Sequence, residues 1–177
     1  MSVAISSLDV LLNNQWTKKI ILKRNEFLKI AGSKDQNIYF IESGCIRIYI
    51  TNEKEEHDIR FGYKGSLITA LDSFINGKPS PLVIQALKKT QVKVLNKNKF
   101  MNIIHSDEKY LKLWQAILEN LIEQQLEREM DLLTYSPEER YRRVQKRSPQ
   151  LFQEVPLKYI ASYLRMSPET LSRIKKH

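Results

Sequence analysis

Residues 106 to 134 carry helical apolar spacing with no glycine or proline to interrupt it, and the run stops at Ser136 and Pro137. A helix of that length reaches about 43 Å, which one small domain can hardly cover. The chain is therefore expected to be built around a rod, with separate units at its two ends. Ser106 with Asp107 and Glu108 supplies the start, since acids suit the positive end of a helix dipole. Leu111, Trp114, Leu118 and Leu121 alternate at three and four, the spacing of a coiled-coil seam. Ile122 and Leu126 widen the stripe, Leu132 and Leu133 extend it, and Gln125 and Arg128 fall on it. A two-fold homodimer through this helix is expected, with Leu111, Trp114, Leu118, Leu121, Ile122 and Gln125 at the interface.

The segment before the rod has a different period. Residues 1–20 read as helical, with Leu8, Leu11, Leu12 and Trp16 at helical spacing and Ser7 as cap. From about residue 20 the runs "NIYFIESGCIRIYI", "EEHDIRFGYKGSLI" and "PLVIQALKKTQVKVL" are rich in β-branched and aromatic residues. Polar and glycine-containing clusters ("AGSKDQ", "TNEKEE", "NGKPSP") separate them. Short strands at this spacing predict an antiparallel sandwich or jelly-roll barrel, closed by a helical stretch around residues 98–104.

After the rod comes a small helical unit. Ser136 as cap, Pro137 at the first position and Glu138 and Glu139 in the first turn predict one helix. "VPLKYIASYLRMSPETLSRIKKH" predicts two more, broken at residues 165–167. Those two fit a helix-turn-helix, in which short helices cross steeply over a tiny core. Counting from Leu157, Ile160 and Leu164 face inward, Ala161 sits at the close approach, Met166 plugs the turn, and Leu171 and Ile174 face inward from the second helix. Arg165 occupies the turn position that favours glycine, at a cost of roughly 1 kcal/mol. Ser167 caps the second helix and Pro168 opens it. The face left outward holds Glu169, Ser172, Arg173 and Lys176. An arginine there can fork onto guanine and a glutamate can accept from cytosine.

Charge agrees with a polyanion partner. The net charge is +9; residues 136–177 hold ten Lys and Arg against four Asp and Glu, residues 106–135 three against seven. Phosphate contacts are expected from Lys158, Lys175, Lys176 and the "RYRRVQKR" run. No apolar run approaches the roughly 20 residues of a membrane helix. The N-terminus has no basic leader before an apolar run, and a cytoplasmic setting is expected. One cysteine, Cys45, excludes an intramolecular disulfide and a four-cysteine metal site; it reads as a small buried hydrophobe. His57 reads as a solvated loop residue and His105 as structural. No HExxH, GxSxG or glycine-rich phosphate loop is present, so an enzyme, including one built on a cupin-like roll, is not expected.

The whole chain resembles the Crp/Fnr family of transcription regulators. "IYFIESGCIRIYI" and "GYKGSLITALDSF" are similar to stretches of that family's cyclic-nucleotide-binding-like β-roll, residues 106–134 to its dimerisation helix, and "PLKYIASYLRMSPETLSRIKKH" to its DNA-binding unit. The resemblance implies an α+β chain of an effector domain at 1–105, a dimerisation helix at 106–135 and a helix-turn-helix domain at 136–177. It implies double-stranded DNA, a second copy and RNA polymerase as partners, and no membrane. It assigns DNA contact to Ser167, Glu169, Thr170, Ser172, Arg173, Lys175 and Lys176, with Glu169, Ser172 and Arg173 in the family's Glu-x-x-Ser-Arg spacing. The implied target is a palindrome with TTGA- or GTGA-like half-sites. Pro168 stands where some members carry a base-contacting arginine, and the sequence ends before the β-hairpin wing that members usually add.

The resemblance also locates an effector pocket at Gly65, Ser66, Leu67, Ala70, Ser80 and Pro81. Cyclic nucleotide sensors hold the ribose with a glutamate and the phosphate with an Arg-Ser pair. Here Ala70 aligns with the glutamate and Ser80 and Pro81 with the pair, while nearby Lys78 offers a point charge without a fork. No tight binding of cyclic AMP is expected, and no cofactor or metal; the roll remains compatible with a small effector of unidentified chemistry. The competing reading is a roll that binds a small ligand or a protein partner without specific DNA binding.

Overall fold

The apolar runs before the rod become two facing sheets. The computed structural model describes residues 3–12, 14–52 and 55–176. Helix α1 (Val3–Leu11) leads into β1 (Lys18–Leu22), β2 (Phe27–Lys29), β3 (Asn37–Ser43), β4 (Cys45–Asn52), β5 (Glu55–Tyr63) and β6 (Leu67–Ile68). A short α2 (Leu71–Asn76) precedes β7 (Val83–Ala86) and β8 (Thr90–Asn96). One sheet has the order β1-β8-β3-β6 and the other β2-β7-β4-β5, with every pair antiparallel. This is the expected jelly-roll core. Ile41, Ile46, Ile48, Ile84, Val92 and Val94 fill the space between the sheets. The "TNEKEE" turn falls partly on residues 53–54, outside the described residues.

The β3–β4 corner depends on Gly44. Its φ is +101°, and a Cβ there would lie 2.6 Å from the Thr90 Cα. The Thr90 hydroxyl oxygen instead accepts from the Cys45 N–H at 3.2 Å.

Two helix starts differ from expectation. Ser7 lies inside α1, which is already formed at Val3 and ends at Leu11, with β1 beginning at Lys18. The expected helix over 1–20 is thus cut short by a strand whose Lys18–Leu22 pair with β8. The rod is α4 (Glu108–Leu133), 26 residues and about 39 Å long. Asp107 caps it, accepting from the Lys109 N–H at 2.9 Å. The Ser106 hydroxyl instead donates backwards to the Ile103 carbonyl at 2.7 Å, closing α3 (Lys97–His105).

The first half of α4 packs on α1 and α3 through Trp114 and the buried Ile117, with Leu8, Leu12, Phe100 and Ile104 opposite. Then α5 (Pro137–Arg147), α6 (Pro149–Glu154), α7 (Leu157–Tyr163) and α8 (Pro168–Ile174) follow. They do not hang free. Tyr141, Val144, Leu151, Ile160 and Leu164 share one core with Cys45, Phe61, Tyr63 and Leu87 of the β-roll. The strand run "CIRIYI" is apolar or covered on both faces for this reason: Ile46 and Ile48 pack between the sheets, while Cys45 packs with the C-terminal helices and Arg47 meets the Tyr159 ring of α7. Among the described residues no helix is long and apolar enough to cross a membrane.

Candidate nucleic-acid interface

Two short helices with a tight turn form the end of the described chain. Ile160, Ala161, Leu164 and Leu171 are fully or almost fully buried between them, with Met166 and Ile174 half-buried at the margin. The Met166 N–H donates to the Ala161 carbonyl at 3.1 Å, which fixes the turn. Arg165 takes φ of +52°, the left-handed conformation expected of this position. The Ser167 hydroxyl oxygen accepts from the Thr170 N–H at 3.1 Å and caps α8, with Pro168 at its first position.

Held this way, α8 turns Ser167, Glu169, Ser172, Arg173, Lys175 and Lys176 outward, with Thr170 half-covered. Pro168, Glu169, Ser172, Arg173 and Lys176 line an open concavity of about 480 Å³. A hydrogen bond from its own backbone N–H, aided by Ser167, holds the Glu169 carboxyl below the usual carboxylate range. The face therefore offers an ionised acceptor and a guanidinium fork about one turn apart.

The basic run of α5 is largely turned away from that face. Arg140 is buried and donates to the Thr134 carbonyl at 2.9 Å. Arg143 pairs with Asp131 at 3.3 Å and Glu127 at 3.4 Å, and Arg147 pairs with the same two acids of α4. Arg142 bonds Glu138 one turn back at 2.6 Å. Of the run "RYRRVQKR", Arg142, with its side chain 73% exposed, and Lys146 stay open to solvent, as do Lys158, Lys175 and Lys176. Asp131 is wholly inaccessible, and two arginines compensate a buried carboxylate that would otherwise be costly.

The rod's apolar stripe divides. Leu111 and Ile122 are 46% and 60% exposed, Leu126 and Leu133 are exposed, and Leu118 and Leu121 are half-buried. Gln125 is exposed. Trp114 turns instead onto Phe100 of its own chain, edge to face at 5.1 Å between ring centroids. Arg128 also leaves the seam: its guanidinium lies 3.7 Å from the centre of the Tyr163 ring and donates to the Tyr163 carbonyl.

The residues of the expected effector pocket hydrogen-bond within their own chain. Gly65, at φ of +85°, donates its N–H to the Ile41 carbonyl, and the Ser66 hydroxyl oxygen accepts from the Tyr63 N–H. Leu67 lies on β6 and packs outward toward Phe74 and Phe100. Ala70 and Ser80 are buried and Pro81 is exposed. The Ser80 hydroxyl oxygen accepts from the Leu82 N–H at 3.1 Å. Lys29, which the sequence reading passed over, inserts its ammonium here and donates to the carbonyls of Ile30, Ser80 and Leu82 at 3.0, 3.0 and 2.6 Å. Burial holds that ammonium below the usual lysine range, against Asp72 and Asp35. A cyclic nucleotide does not fit these residues. Among the described residues no carboxylate stands at Ala70 for a ribose and no guanidinium pairs with Ser80, and the Lys29 ammonium is engaged by backbone carbonyls.

The lone thiol and the histidines add no site. Cys45 is buried and burial pushes its pKa up to about 12. His57, expected in solvent, is partly covered beside Glu55, and His105 is exposed at the end of α3. Among the described residues, no three His, Cys, Asp or Glu side chains are grouped to hold a metal ion.

Comparison with known proteins matches these features. Residues 19–107 match the cyclic nucleotide-binding domain. The chain belongs to that family. Its fold is that of the Crp/Fnr regulators. A CooA mutant from Carboxydothermus hydrogenoformans superposes with a TM-score of 0.72 at 16% identity, over 96% of this chain and 82% of that one. FixK2 from Bradyrhizobium japonicum gives 0.71 at 17% identity, over 90% and 82%. The c-di-GMP responsive global regulator CLP of Xanthomonas campestris gives 0.71 at 10% identity, over 97% and 90%. No curated protein sequence matches the chain.

Proposed function

We propose that the protein is a homodimeric, sequence-specific DNA-binding transcription regulator that works in the cytoplasm without cyclic AMP. The observation that carries this reading is α8, pinned on α7 by Leu171 while Glu169, Ser172 and Arg173 face outward. In this reading residues 1–105 form the effector roll, 106–135 the dimerising rod and 136–177 the DNA-binding unit. The stripe of exposed Leu111, Ile122 and Leu126 with half-buried Leu118 meets its copy on a partner rod, and the two α8 helices enter successive major grooves about 34 Å apart. Arg173 and Glu169 read base edges. Lys146, Lys158, Lys175 and Lys176 hold phosphates, so binding weakens steeply with salt. RNA polymerase is the further partner of such a regulator.

Selection from random double-stranded DNA with the full chain tests the reading. Enrichment of a palindrome with half-sites one helical turn apart is the expected result. No enriched site overturns it in favour of a roll that serves a small ligand or a protein partner.

A further inference from the structure

The C-terminal helices meet the roll over a buried charged layer. We propose that Arg47 and Asp58 of the roll, with Ser162 of α7, form a proton-operated latch that fixes the helical unit to the sheet. The inference concerns how the two units are joined, whichever partner α8 serves.

The latch lies on the open edge of one sheet. Strand β5 pairs with β4 alone, so its other edge has free backbone groups. There the Ser162 hydroxyl oxygen accepts from the Asp58 N–H at 3.0 Å, and the hydroxyl donates to the Glu56 carbonyl at 3.0 Å. One side chain of α7 thus completes a repeat of the ladder. Beneath it, Arg47 is 3% exposed and its guanidinium lies between the Tyr49 ring of β4 and the Tyr159 ring of α7, at 3.9 and 4.3 Å. It also donates twice to the Gln85 side-chain oxygen and pairs with Glu56 at 2.7 Å.

Asp58 is the weak member. It is 1% exposed, and its carboxylate lies 3.7 Å from Arg47. Neither carboxylate oxygen accepts a directed hydrogen bond among the described residues. A buried carboxylate so poorly partnered favours its neutral form. Burial pushes its pKa up to about 6, opposed by Arg47, the neighbouring Ser162 hydroxyl and Lys158, and reinforced by Glu56. These groups, with Tyr49, are the titratable and charged side chains that act on it from β4, β5 and α7 among the described residues, and Tyr159 reaches it only through Arg47.

The direction of the effect follows. When α7 lifts, Asp58 meets water and its pKa returns toward the ordinary aspartate value near 3.8. A carboxyl whose pKa is higher in the docked state takes up a proton on docking. Closure is therefore favoured fully below the free value and loses that support as pH rises through about 6. Between pH 7 and pH 5 the docking equilibrium should tighten about tenfold.

Amide hydrogen exchange on the full chain, without DNA, tests the latch apart from any role in transcription. With rates corrected for their intrinsic pH dependence and β8 amides as internal reference, α7 should be about tenfold better protected at pH 5 than at pH 7. Asp58→Asn should abolish that slope, and Ser162→Ala should lower α7 protection at every pH. His57→Gln should keep the wild-type profile, since the neighbouring His57 side chain is no part of the latch. A flat wild-type profile overturns the proposal without recourse to any variant, as does a slope that survives Asp58→Asn or disappears with His57→Gln.

Discussion

The expected phosphate cassette of the roll, over residues 65–82, and the α7–α8 pair treat their polar groups in opposite ways. At the pair, the buried positions are apolar and small where they must be, and the polar groups face out. At the cassette, the positions that would meet a ligand are the buried ones, and the chain satisfies them itself: Ser80 with the Leu82 N–H, and the Ser80 and Leu82 carbonyls with Lys29. A scaffold of this kind can stand without such recognition groups, provided another side chain takes up its backbone polar atoms, as Lys29 does here. Under the proposed function, the contrast separates the part that would read from the part that would be told when to read.

The contrast can be broken most severely at Leu171. Leu171→Ala should cost about 2–5 kcal/mol, since the side chain is fully buried between α7 and α8. Urea denaturation would measure it, and a loss under about 1 kcal/mol would mean that the pair has no core of its own. Lys29→Met should cost about 1–3 kcal/mol by stranding the carbonyls it serves. A neutral effect in the same denaturation assay would show that the cassette is not held by this ammonium.

Two smaller changes sharpen the comparison. Arg173→Ala should weaken binding to the selected site by about 1–3 kcal/mol per contact and relax one half-site position. Titration against selected and random DNA checks this, and equal losses on both would demote Arg173 to a phosphate contact. Arg165→Gly should raise stability by up to about 1 kcal/mol, because glycine takes the φ of +52° without a Cβ penalty. A lower melting temperature would show that the Arg165 side chain has a role its backbone strain conceals.

What the sequence made legible was local. Ala161, Leu164 and Leu171 sit at fixed separations across one turn, and the strand runs carry their own period, so roll, rod and helix pair were all readable. Arg128, Arg143 and Arg147 were misread because a charged side chain at helical spacing does not name its partner. Their partners lie on other helices, at Tyr163, Glu127 and Asp131. Trp114 was placed on the seam because a heptad ignores which neighbour is nearer. Asp58 depends on a shift in the β4–β5 register between Ile48 and Tyr49, and nothing in "EEHDIRFGY" announces that shift. Lys29 carries no sequence signal of its own, because the carbonyls it serves at Ser80 and Leu82 lie about fifty residues further along the chain.

Ser162 bonds the open edge of β5, and that has a consequence for solubility. An unpaired strand edge is a template on which another chain can add. Lifting α7 removes the hydroxyl that satisfies the Asp58 N–H and the Glu56 carbonyl and uncovers Phe61 and Tyr63 beside them. The same helix that orients α8 therefore shields a sticky border, and any state in which it swings clear is also a state in which copies of the chain can pair strand to strand.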